Sequence, residues 1–355
     1  IAGAGAGAYN HASFKQDSAE LRLASIGNGP LQWVAGVYGF REKGSPIVLQ
    51  AFGPSVIFYQ DPMKTDSKAV FGQATYAVVP SLRLTAGLRE TQDTKSRTGC
   101  GYSFATLNAA GLSSLTDANN PLSSPPSAAS LPACPTAAIN NVPSTDWNKM
   151  TYRLGVDHDL SANTMVFATY STGFKSGGFN DGNLLNVANR NAIIYNPEVL
   201  TAIEMGLKAR LLQNMLQLNV SAYSYDYTDL QVSSLTTCAS GTGTCTLTNN
   251  AGKARSRGLE IEGRYLLTPV DRVTFGLGLT DAKYSRFVTS GGFDWAGRKL
   301  DKAPSSMLNL GWSHQFALPG GAAVTTYIGT RYSASYLLSN PAANRQFEQT
   351  SYTRT

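Results

Sequence analysis

The stretch TMVFATYSTGFKSGGFN, residues Thr164–Asn180, decides the fold of this chain. Val166, Ala168 and Tyr170 alternate with small and polar residues, and a period of two is typical of a β-strand with one apolar and one polar face. A Phe-Lys-Ser-Gly-Gly-Phe run follows directly, and its composition does not suit a buried core. A long two-faced strand that ends in such a loop is typical of the outer rim of a transmembrane β-barrel.

The same alternation recurs along the chain. Eight further segments show it: Leu31–Arg41, Leu82–Glu90, Tyr152–Leu160, Ile203–Leu211, Leu216–Ala222, Leu259–Tyr265, Val273–Thr280 and Leu308–Ser313. Short turns such as Val79–Ser81 and Leu212–Asn214 alternate with long loops such as Glu42–Thr65, Thr98–Asp146 and Ser234–Asn249. Short turns at one end and long loops at the other are the pattern of an outer-membrane barrel. We therefore predict an all-β fold, a transmembrane antiparallel β-barrel with about twelve strands in this chain.

A soluble antiparallel sandwich would alternate in the same way, but with shorter strands and loops of similar length at both ends. The polar faces carry charged residues that would line a wet lumen: Arg83, Arg89, Glu204, Lys208, Arg210, Glu260, Glu262 and Arg264. Tyr223, Tyr225 and Tyr227 crowd the outer end of one predicted strand, as in an interfacial aromatic girdle. Both features favour the barrel, with outer-membrane lipid as its surroundings.

The composition fits this interpretation. Charged residues make up 15% of the chain, against about a quarter in a typical soluble protein. The net charge of +6 comes from scattered Lys and Arg, whereas a nucleic-acid surface needs them clustered, so we expect no nucleic-acid partner. No window approaches the roughly 18 to 20 apolar residues of a membrane helix, but barrel strands are apolar only at alternate positions.

The four cysteines fall into two local pairs, each within one predicted loop. Cys100 and Cys134 bracket a Ser/Pro/Ala/Asn-rich insert, and Cys238 and Cys245 bracket a Ser/Thr/Gly tip. Their spacing does not suit a zinc site. Even pairing predicts two loop-closing disulfides in an oxidising compartment, with free thiols as the alternative.

No catalytic motif is present, so we predict that the chain is not an enzyme and holds no metal or cofactor. Glu260 and Glu262 share a strand face and could resemble a glycosidase pair. They alternate with Arg255, Arg257 and Arg264, which favours lumenal salt bridges instead. Three histidines lie on separate predicted strands and are better interpreted as girdle or lumen residues: His11, His158 and His314.

The long loops combine aromatic rings with Lys and Arg, a composition that binds anionic, ring-bearing ligands by stacking, cation–π contacts and charge-assisted hydrogen bonds. The alternative is that these rings only anchor the loops. Six loop residues are candidates for ligand contact: Phe174, Lys175, Arg190, Tyr195, Trp295 and Arg298.

A family resemblance rests on seven segments: Glu20–Ser25 (ELRLAS), Leu31–Glu42 (LQWVAGVYGFRE), Phe71–Thr91 (FGQATYAVVPSLRLTAGLRET), Thr169–Asn180 (TYSTGFKSGGFN), Asn196–Ala209 (NPEVLTAIEMGLKA), Asn249–Gly263 (NNAGKARSRGLEIEG) and Ala296–Ser305 (AGRKLDKAPS). In this order and spacing, the chain resembles the TonB-dependent outer-membrane receptors, particularly the ferric-siderophore receptor-like branch. The resemblance covers nearly the whole chain.

This resemblance implies a barrel of about twenty-two strands around an N-terminal plug domain. It also implies active import of a scarce ligand, driven by the TonB complex acting on that plug. The expected cargo is an anionic iron chelate, a ferric siderophore. Cobalamin, haem or an oligosaccharide are alternative cargoes, and a passive porin or a surface adhesin are alternative functions.

The family pattern is only partly present in residues 1–355. We find no signal peptide, plug domain or TonB box, and the chain ends at Thr355 without the usual terminal aromatic residue. We therefore expect the chain to be an internal piece of a longer receptor, a partial barrel without its C-terminal strands.

Overall fold

A computed structural model of the chain describes residues 6–52, 55–60, 62–98, 100–104, 142–180, 193–237, 244–250, 252–289, 292–340 and 344–355. These residues form β-strands, several of them joined by tight turns, and a 3₁₀ turn spans Pro319–Gly321. Within them, no helix has the length and apolar character needed to cross a membrane.

The strands of the described residues are numbered in chain order: β1 (Ala6–Ala24), β2 (Leu31–Phe52), β3 (Ser55–Gln60), β4 (Met63–Val79), β5 (Leu82–Arg97), β6 (Cys100–Phe104), β7 (Val142–Ser161), β8 (Thr164–Lys175), β9 (Gly178–Phe179), β10 (Ile194–Tyr195), β11 (Glu198–Leu211), β12 (Leu216–Thr228), β13 (Gln231–Thr237), β14 (Thr244–Asn250), β15 (Lys253–Leu266), β16 (Asp271–Arg286), β17 (Ser306–Ala317), β18 (Ala323–Ser333), β19 (Tyr336–Asn340), β20 (Arg345–Gln349) and β21 (Tyr352–Arg354).

The long strands form one antiparallel meander. In the order β1, β2, β4, β5, β7, β8, β11, β12, β15, β16, β17, β18, each strand pairs with the next, and their lengths run from 11 to 22 residues. The all-β antiparallel prediction is confirmed. The sheet is open in the described residues, so closure into a barrel of about twenty-two strands stays a prediction.

Tight turns close one end of the meander. Pro80 and Ser81 alone separate β4 from β5. Between β11 and β12, the consecutive residues Leu212, Gln213 and Asn214 all have positive φ, which lets the chain reverse within four residues. The predicted tight turns at this end of the sheet are therefore present.

The expected long loop Glu42–Thr65 is wrong. Strand β2 continues to Phe52, and β3 pairs back onto it. The segment is rich in β-branched and aromatic residues, which favour strand structure. Its ladder with β1 runs unbroken from Ala24 to Ala6. Gly44 and Pro46 are common turn residues, but both lie within the ladder between β1 and β2.

One face of the sheet is apolar and uncovered in the described residues. Its exposed side chains include Leu21, Leu23, Val37, Val70, Leu84, Leu88, Leu154, Ile203, Met205, Leu308, Leu310 and Ile328. The large buried rings, Trp147, Tyr284, Phe287 and Trp295, lie instead near the ends of the strands that carry the long connections. A soluble sandwich would bury the apolar face against a second sheet. A face of this size without cover suits hydrocarbon.

The opposite face is polar. The strand registers put the eight charged residues predicted for the lumen on this face. Arg83 donates two hydrogen bonds to the Asp159 carboxylate, at 2.6 and 2.8 Å.

The predicted salt bridges of Glu260 and Glu262 are wrong in the described part of the chain. Arg255 and Arg257 point to the apolar side, since they stand opposite Asp226 and Ser224. Arg255 Nε lies 2.5 Å from Asp226 Oδ1.

Arg264, the third arginine of the predicted set, does share the polar face with Glu260 and Glu262. Its Nη2 donates to Gln217 Oε1 at 3.3 Å. Alternation along β15 therefore separates the three arginines onto two faces.

The predicted girdle at Tyr223, Tyr225 and Tyr227 is also wrong. These residues share the polar face, because Leu218, Val220 and Ala222 occupy the apolar one. Tyr225 Oη donates a short hydrogen bond to Glu204 Oε1, and Tyr223 Oη lies 3.0 Å from Thr280 Oγ1.

Aromatic residues do border the apolar face elsewhere. Tyr152 and Tyr170 pair towards its outer end, with ring centroids 5.8 Å apart. Trp312, His314 and Phe316 lie near the tight turns, where Asp271 Oδ1 accepts hydrogen bonds from Trp312 Nε1 at 3.1 Å and from His314 Nδ1 at 2.7 Å. These groups have the amphipathic character of interfacial belts.

The face assignment predicts the effect of a charge at Leu207. This residue lies on the apolar face between Val166 and Val220, midway along β11. We expect Leu207→Arg to destabilise the folded wall in lipid by about 2–4 kcal/mol, because the guanidinium would enter hydrocarbon. The measurement is the folded fraction of the full-length protein in vesicles, read from its heat-resistant band on a gel.

The matched control is Ser221→Arg, which adds the same side chain to the polar face of β12, opposite Glu260. It should assemble as the unaltered protein does. Equal assembly of both variants would contradict the assignment of the faces.

Candidate ligand-facing site at the outer rim and on the polar face

The outer rim is held together by the Ser-Gly-Gly-Phe-Asn run, which we name the rim latch (Ser176–Asn180). Asn180 is its central residue. Its Nδ2 donates to Thr248 O at 2.7 Å, and its Oδ1 accepts from Thr248 N at 2.8 Å. Its backbone N–H donates to Ile193 O at 2.6 Å, and its carbonyl accepts from Arg97 Nη1 at 2.8 Å. One buried asparagine thus joins β5, the segment before β10, and the hairpin β13–β14.

The two glycines of the rim latch are required by close packing. A Cβ at Gly177 would collide with the Tyr195 carbonyl and the Trp147 ring, and a Cβ at Gly178 would collide with the Tyr195 ring. Only residues without a side chain let the backbone approach so closely. Phe179 completes the contact, with its ring centroid 6.0 Å from that of Trp147.

Lys95, which was not among the residues predicted from the sequence, binds the backbone of the rim latch. Lys95 Nζ donates to Gly177 O at 2.8 Å and lies 5.7 Å from the Trp147 ring centroid. Burial lowers the pKa of Lys95, while the nearby carboxylates of Asp93 and Glu42 oppose that shift. The sequence around Lys95 does not indicate this role, because its hydrogen-bond partner Gly177 lies 82 residues away along the chain.

A second rim cluster surrounds Trp295, with Tyr284 and Phe287. Trp295 is fully buried, and its Nε1 donates to Asn344 Oδ1 at 2.8 Å. Tyr284 and Phe287 pack their rings against it at centroid distances of 6.1 and 6.0 Å. Arg298 stacks over Trp295 at 4.8 Å. This cluster anchors the connection between β16 and β17.

The six loop residues predicted to touch ligand therefore do not form one site. Trp295 is an anchor that a ligand does not reach in this conformation, and Arg298 covers it. Phe174 shares the apolar face with Tyr170, since β8 alternates to its end.

The other three residues differ from one another. Lys175 is exposed on the polar side, opposite Glu198. Tyr195 is half-buried against Gly178, and burial raises the pKa of its phenol. Arg190 lies outside the described residues.

The predicted disulfides are not tested by the structure. Cys134 and Cys238 lie outside the described residues. Cys100 begins β6 and Cys245 lies in β14, and only their backbones are described. No group of three or more His, Cys, Asp or Glu side chains suited to a metal ion occurs among the residues that the structure describes.

The polar face presents cations on aromatic rings. The Arg89 guanidinium lies 5.4 Å from the Tyr38 ring centroid and 5.6 Å from that of Phe71. Lys208 Nζ lies 5.4 Å from the Phe167 ring. Such contacts hold a cation in place without neutralising it, which leaves its charge available to an anion.

A groove of about 670 Å³ lies on the same face across β12 to β18. Its charged lining residues are Arg264, Arg331, Arg354 and Glu262, and Asn309 and Tyr327 also line it. Arg331 and Arg354 were not among the residues predicted from the sequence. They stand opposite each other on β18 and β21, and that pairing depends on a strand register the sequence analysis did not assign.

Comparison with known proteins identifies the class of fold. A family model described as "TonB dependent receptor-like, beta-barrel" matches residues 3–355. No curated protein sequence matches the chain significantly.

Solved structures with the same fold share only low sequence identity with this chain. The ferric yersiniabactin uptake receptor FyuA from Yersinia pestis has a TM-score of 0.71 at 13% identity, over 98% of this chain and 46% of that one. The ferric-catecholate import receptor Fiu from K12 E. coli has a TM-score of 0.63 at 17% identity, over 97% and 48%. The copper transporter OprC has a TM-score of 0.63 at 16% identity, over 96% and 48%. The chain thus spans about half the length of these proteins.

The rim latch predicts the effect of Asn180→Ala. The change leaves the N–H and C=O of Thr248 without their partners. We expect the local opening free energy of hairpin β13–β14 to fall by about 1–3 kcal/mol. Hydrogen exchange of residues 231–250 measures this, with the exposed Asn249→Ala on the same hairpin as the control. Equal protection in the two variants would show that Asn180 does not hold the rim.

The Trp295 cluster predicts a pH dependence. Burial raises the pKa of Tyr284 to about 12, with Asp301 adding to the rise. Between pH 10 and about pH 12, the Tyr284 phenol keeps its proton while the rim is packed. The same phenol loses its proton in this range when the rim opens, because its pKa then returns to its ordinary value of 10. The stability of the packed state is therefore complete below pH 10 and falls as pH rises towards 12.

Acrylamide quenching of tryptophan fluorescence over this pH range measures the opening. Tyr284→Phe keeps the ring but removes the titrating group, so its quenching should change less with pH. Identical pH profiles for the variant and the unaltered protein would rule out this role for Tyr284.

Proposed function

Because the chain belongs to the TonB-dependent receptor-like β-barrels of the Gram-negative outer membrane, we propose that it forms the wall of a receptor that actively imports a scarce ligand. The preferred cargo is a ferric siderophore complex. The family and fold are those of transport receptors rather than enzymes.

The observation that carries this proposal is the two-sided sheet. Exposed side chains such as Leu21 and Ile328 suit lipid on one face, and Arg89 and Lys208 suit water on the other. The hydrogen bonds between strands pair the backbone N–H and C=O groups, because lipid offers these groups no hydrogen-bond partners. A protein with these two faces encloses an aqueous route through a bilayer when its sheet closes.

The polar face favours an anionic, ring-bearing ligand. Arg89 is held between two rings, and Arg264, Arg331 and Arg354 line the groove. Guanidinium groups bind carboxylate, catecholate and similar oxygen-rich anions through paired donors, and the rings add stacking surface. Iron chelates of siderophores combine these two chemical features.

The energy source would act outside this chain. In the proposed receptor, the TonB complex pulls on a plug domain, and the plug uncovers the polar face for ligand passage. The rim latch and the Trp295 cluster would keep the outer rim rigid while the plug moves.

The names of structural neighbours support iron chelates without selecting one. FyuA and Fiu are receptors for ferric complexes, while OprC is described as a copper transporter. At these identities, the likeness extends to the fold and not to the cargo. The choice of a ferric siderophore therefore depends on the charge and rings of the polar face.

Ligand titration of the full-length receptor tests the proposal. We expect saturable binding of a ferric siderophore from a panel that also contains iron-free siderophores, cobalamin, haem and an oligosaccharide. We also expect planar-bilayer conductance near zero, since a plugged receptor is closed. An open conductance without saturable binding would favour a passive porin, and binding of another cargo would replace the siderophore.

Arg89→Gln tests the polar face directly. It removes a charge that we expect to contact the ligand, so the dissociation constant should rise about tenfold or more. Arg257→Gln is the matched control, because Arg257 lies on the apolar side of the sheet. Equal affinity of both variants would remove Arg89 from the ligand route.

A further inference from the structure

Arg89 ends a row of three residues on neighbouring strands of the polar face. Gly36 on β2 stands directly opposite Phe71 on β4, and Phe71 stands directly opposite Arg89 on β5. A Cβ at Gly36 would lie 2.7 Å from Phe71 Cζ and 2.6 Å from the Leu21 carbonyl oxygen. The edge of the Phe71 ring therefore occupies the place that a side chain at Gly36 would take. The Arg89 guanidinium lies 5.6 Å from the centroid of this ring.

Lys208 has the same arrangement on β8 and β11. Gly206 stands directly opposite Phe167, and a Cβ at Gly206 would lie 2.8 Å from both Cε1 and Cζ of that ring. Lys208 Nζ lies 5.4 Å from the ring centroid. In both places the glycine lets the ring lie against the strand backbone, and the ring in turn contacts a cation.

We name these two contacts, Gly36 with Phe71 and Gly206 with Phe167, the polar-face glycine–ring pairs. We propose that they position the ligand-binding cations of the wall. In this proposal, each pair holds one cation, Arg89 or Lys208, at a fixed place where it selects an anionic group of the ligand. The inference rests on the proposed import of an anionic ligand.

The charges of both cations are available to an anion. Arg89 Nε donates to the neutral Thr91 Oγ1 at 3.1 Å. Within the described part of the chain, neither Arg89 nor Lys208 forms an ion pair with a carboxylate. Glu204, which shares the polar face of β11 with Lys208, accepts a hydrogen bond from Tyr225 Oη instead.

Arg89 also borders open space. A hollow of about 430 Å³ is lined by Phe71 and Arg89, together with Gln73, Gly87 and Arg153. The lining residues of this hollow, all of them among the described residues, include no Asp or Glu. Arg153 is exposed and adds a second guanidinium. An anionic group can therefore enter the hollow and meet Arg89 without displacing a carboxylate.

The benefit of a held cation is entropic. A free arginine side chain samples many rotamers, and a ligand that binds it must first order it. Two rings restrict Arg89 before any ligand arrives, since the Tyr38 ring centroid lies 5.4 Å from the guanidinium. A glycine–ring pair also occurs on the apolar face, between Gly263 and Phe275. The pair alone therefore supports strand packing, and the added cation is what points to a ligand.

The first measurement concerns Arg89 in the full-length receptor without any ligand. Ring currents shift the NMR signal of an Nε–H group beside an aromatic face, and loss of one signal in Arg89→Gln identifies it in receptor labelled with isotopic arginine. Phe71→Leu and Gly36→Ala should each move this signal towards that of a free arginine.

Gly278→Ala is the matched control, because a Cβ at Gly278 would meet no atom within 4 Å. It should leave the Arg89 signal unchanged. An Arg89 signal that stays in place in Phe71→Leu would overturn the proposal. If Gly36→Ala does not fold, Phe71→Leu alone decides.

The second measurement is the binding of a ferric tris-catecholate chelate, which is anionic and carries aromatic rings. Phe71→Leu should raise its dissociation constant about threefold to tenfold, because the freed arginine must be ordered on binding. In the Arg89→Gln background, the same change should have no further effect, since the ring acts through the cation. Phe167→Leu should behave in the same way towards Lys208→Gln.

Crossed combinations supply the controls for this cycle. Phe71→Leu with Lys208→Gln should show additive effects, because β5 and β11 are three strands apart, or about 14 Å. An equal effect of Phe71→Leu with and without the Arg89 charge would show that the ring only supports the strand, which would overturn the proposal. If the unaltered receptor does not bind the chelate, the proposed cargo is wrong, and the Arg89 signal still decides whether the glycine–ring pair holds the cation.

Discussion

The structure depends on one constraint, which is that a backbone in hydrocarbon must find its hydrogen-bond partners within the protein. The meander meets this by pairing each long strand with its neighbours. Once the strands are paired, the side chains are free to alternate, with Leu207 towards lipid and Lys208 towards water one residue later. The fold therefore needs little buried core, and the large buried rings lie towards the rim.

The wall could be predicted from the sequence because its signal is local. A period of two needs only a few residues to be recognised, and it assigned Leu84 and Arg83 to opposite faces. The same rule could have placed Tyr223, Tyr225 and Tyr227 on the polar face, since they alternate with apolar neighbours. The predicted girdle at these three tyrosines conflicts with that alternation and is wrong.

The rim could not be predicted, because its contacts join distant parts of the chain. Asn180 and Thr248 lie 68 residues apart, and Lys95 and Gly177 lie 82 apart. The composition of the loops shows that they are rich in aromatic and cationic residues. It does not show which of these are buried anchors, such as Trp295, and which are exposed, such as Lys175. Burial is set by tertiary packing, and no local pattern reports it.

The rim latch has a consequence for sequence variation in the segments that surround it. Asn180 binds backbone atoms of Thr248 and Ile193, and Lys95 and Arg97 bind carbonyls of the rim latch itself. Contacts to backbone atoms do not depend on the identity of the partner side chain. At these contacts the rim latch constrains the backbone path of its neighbours, while the packing of Gly177 and Gly178 against Trp147 and Tyr195 still depends on side chains. Side chains elsewhere in the segments joined to the rim latch can therefore vary as long as the backbone keeps this path.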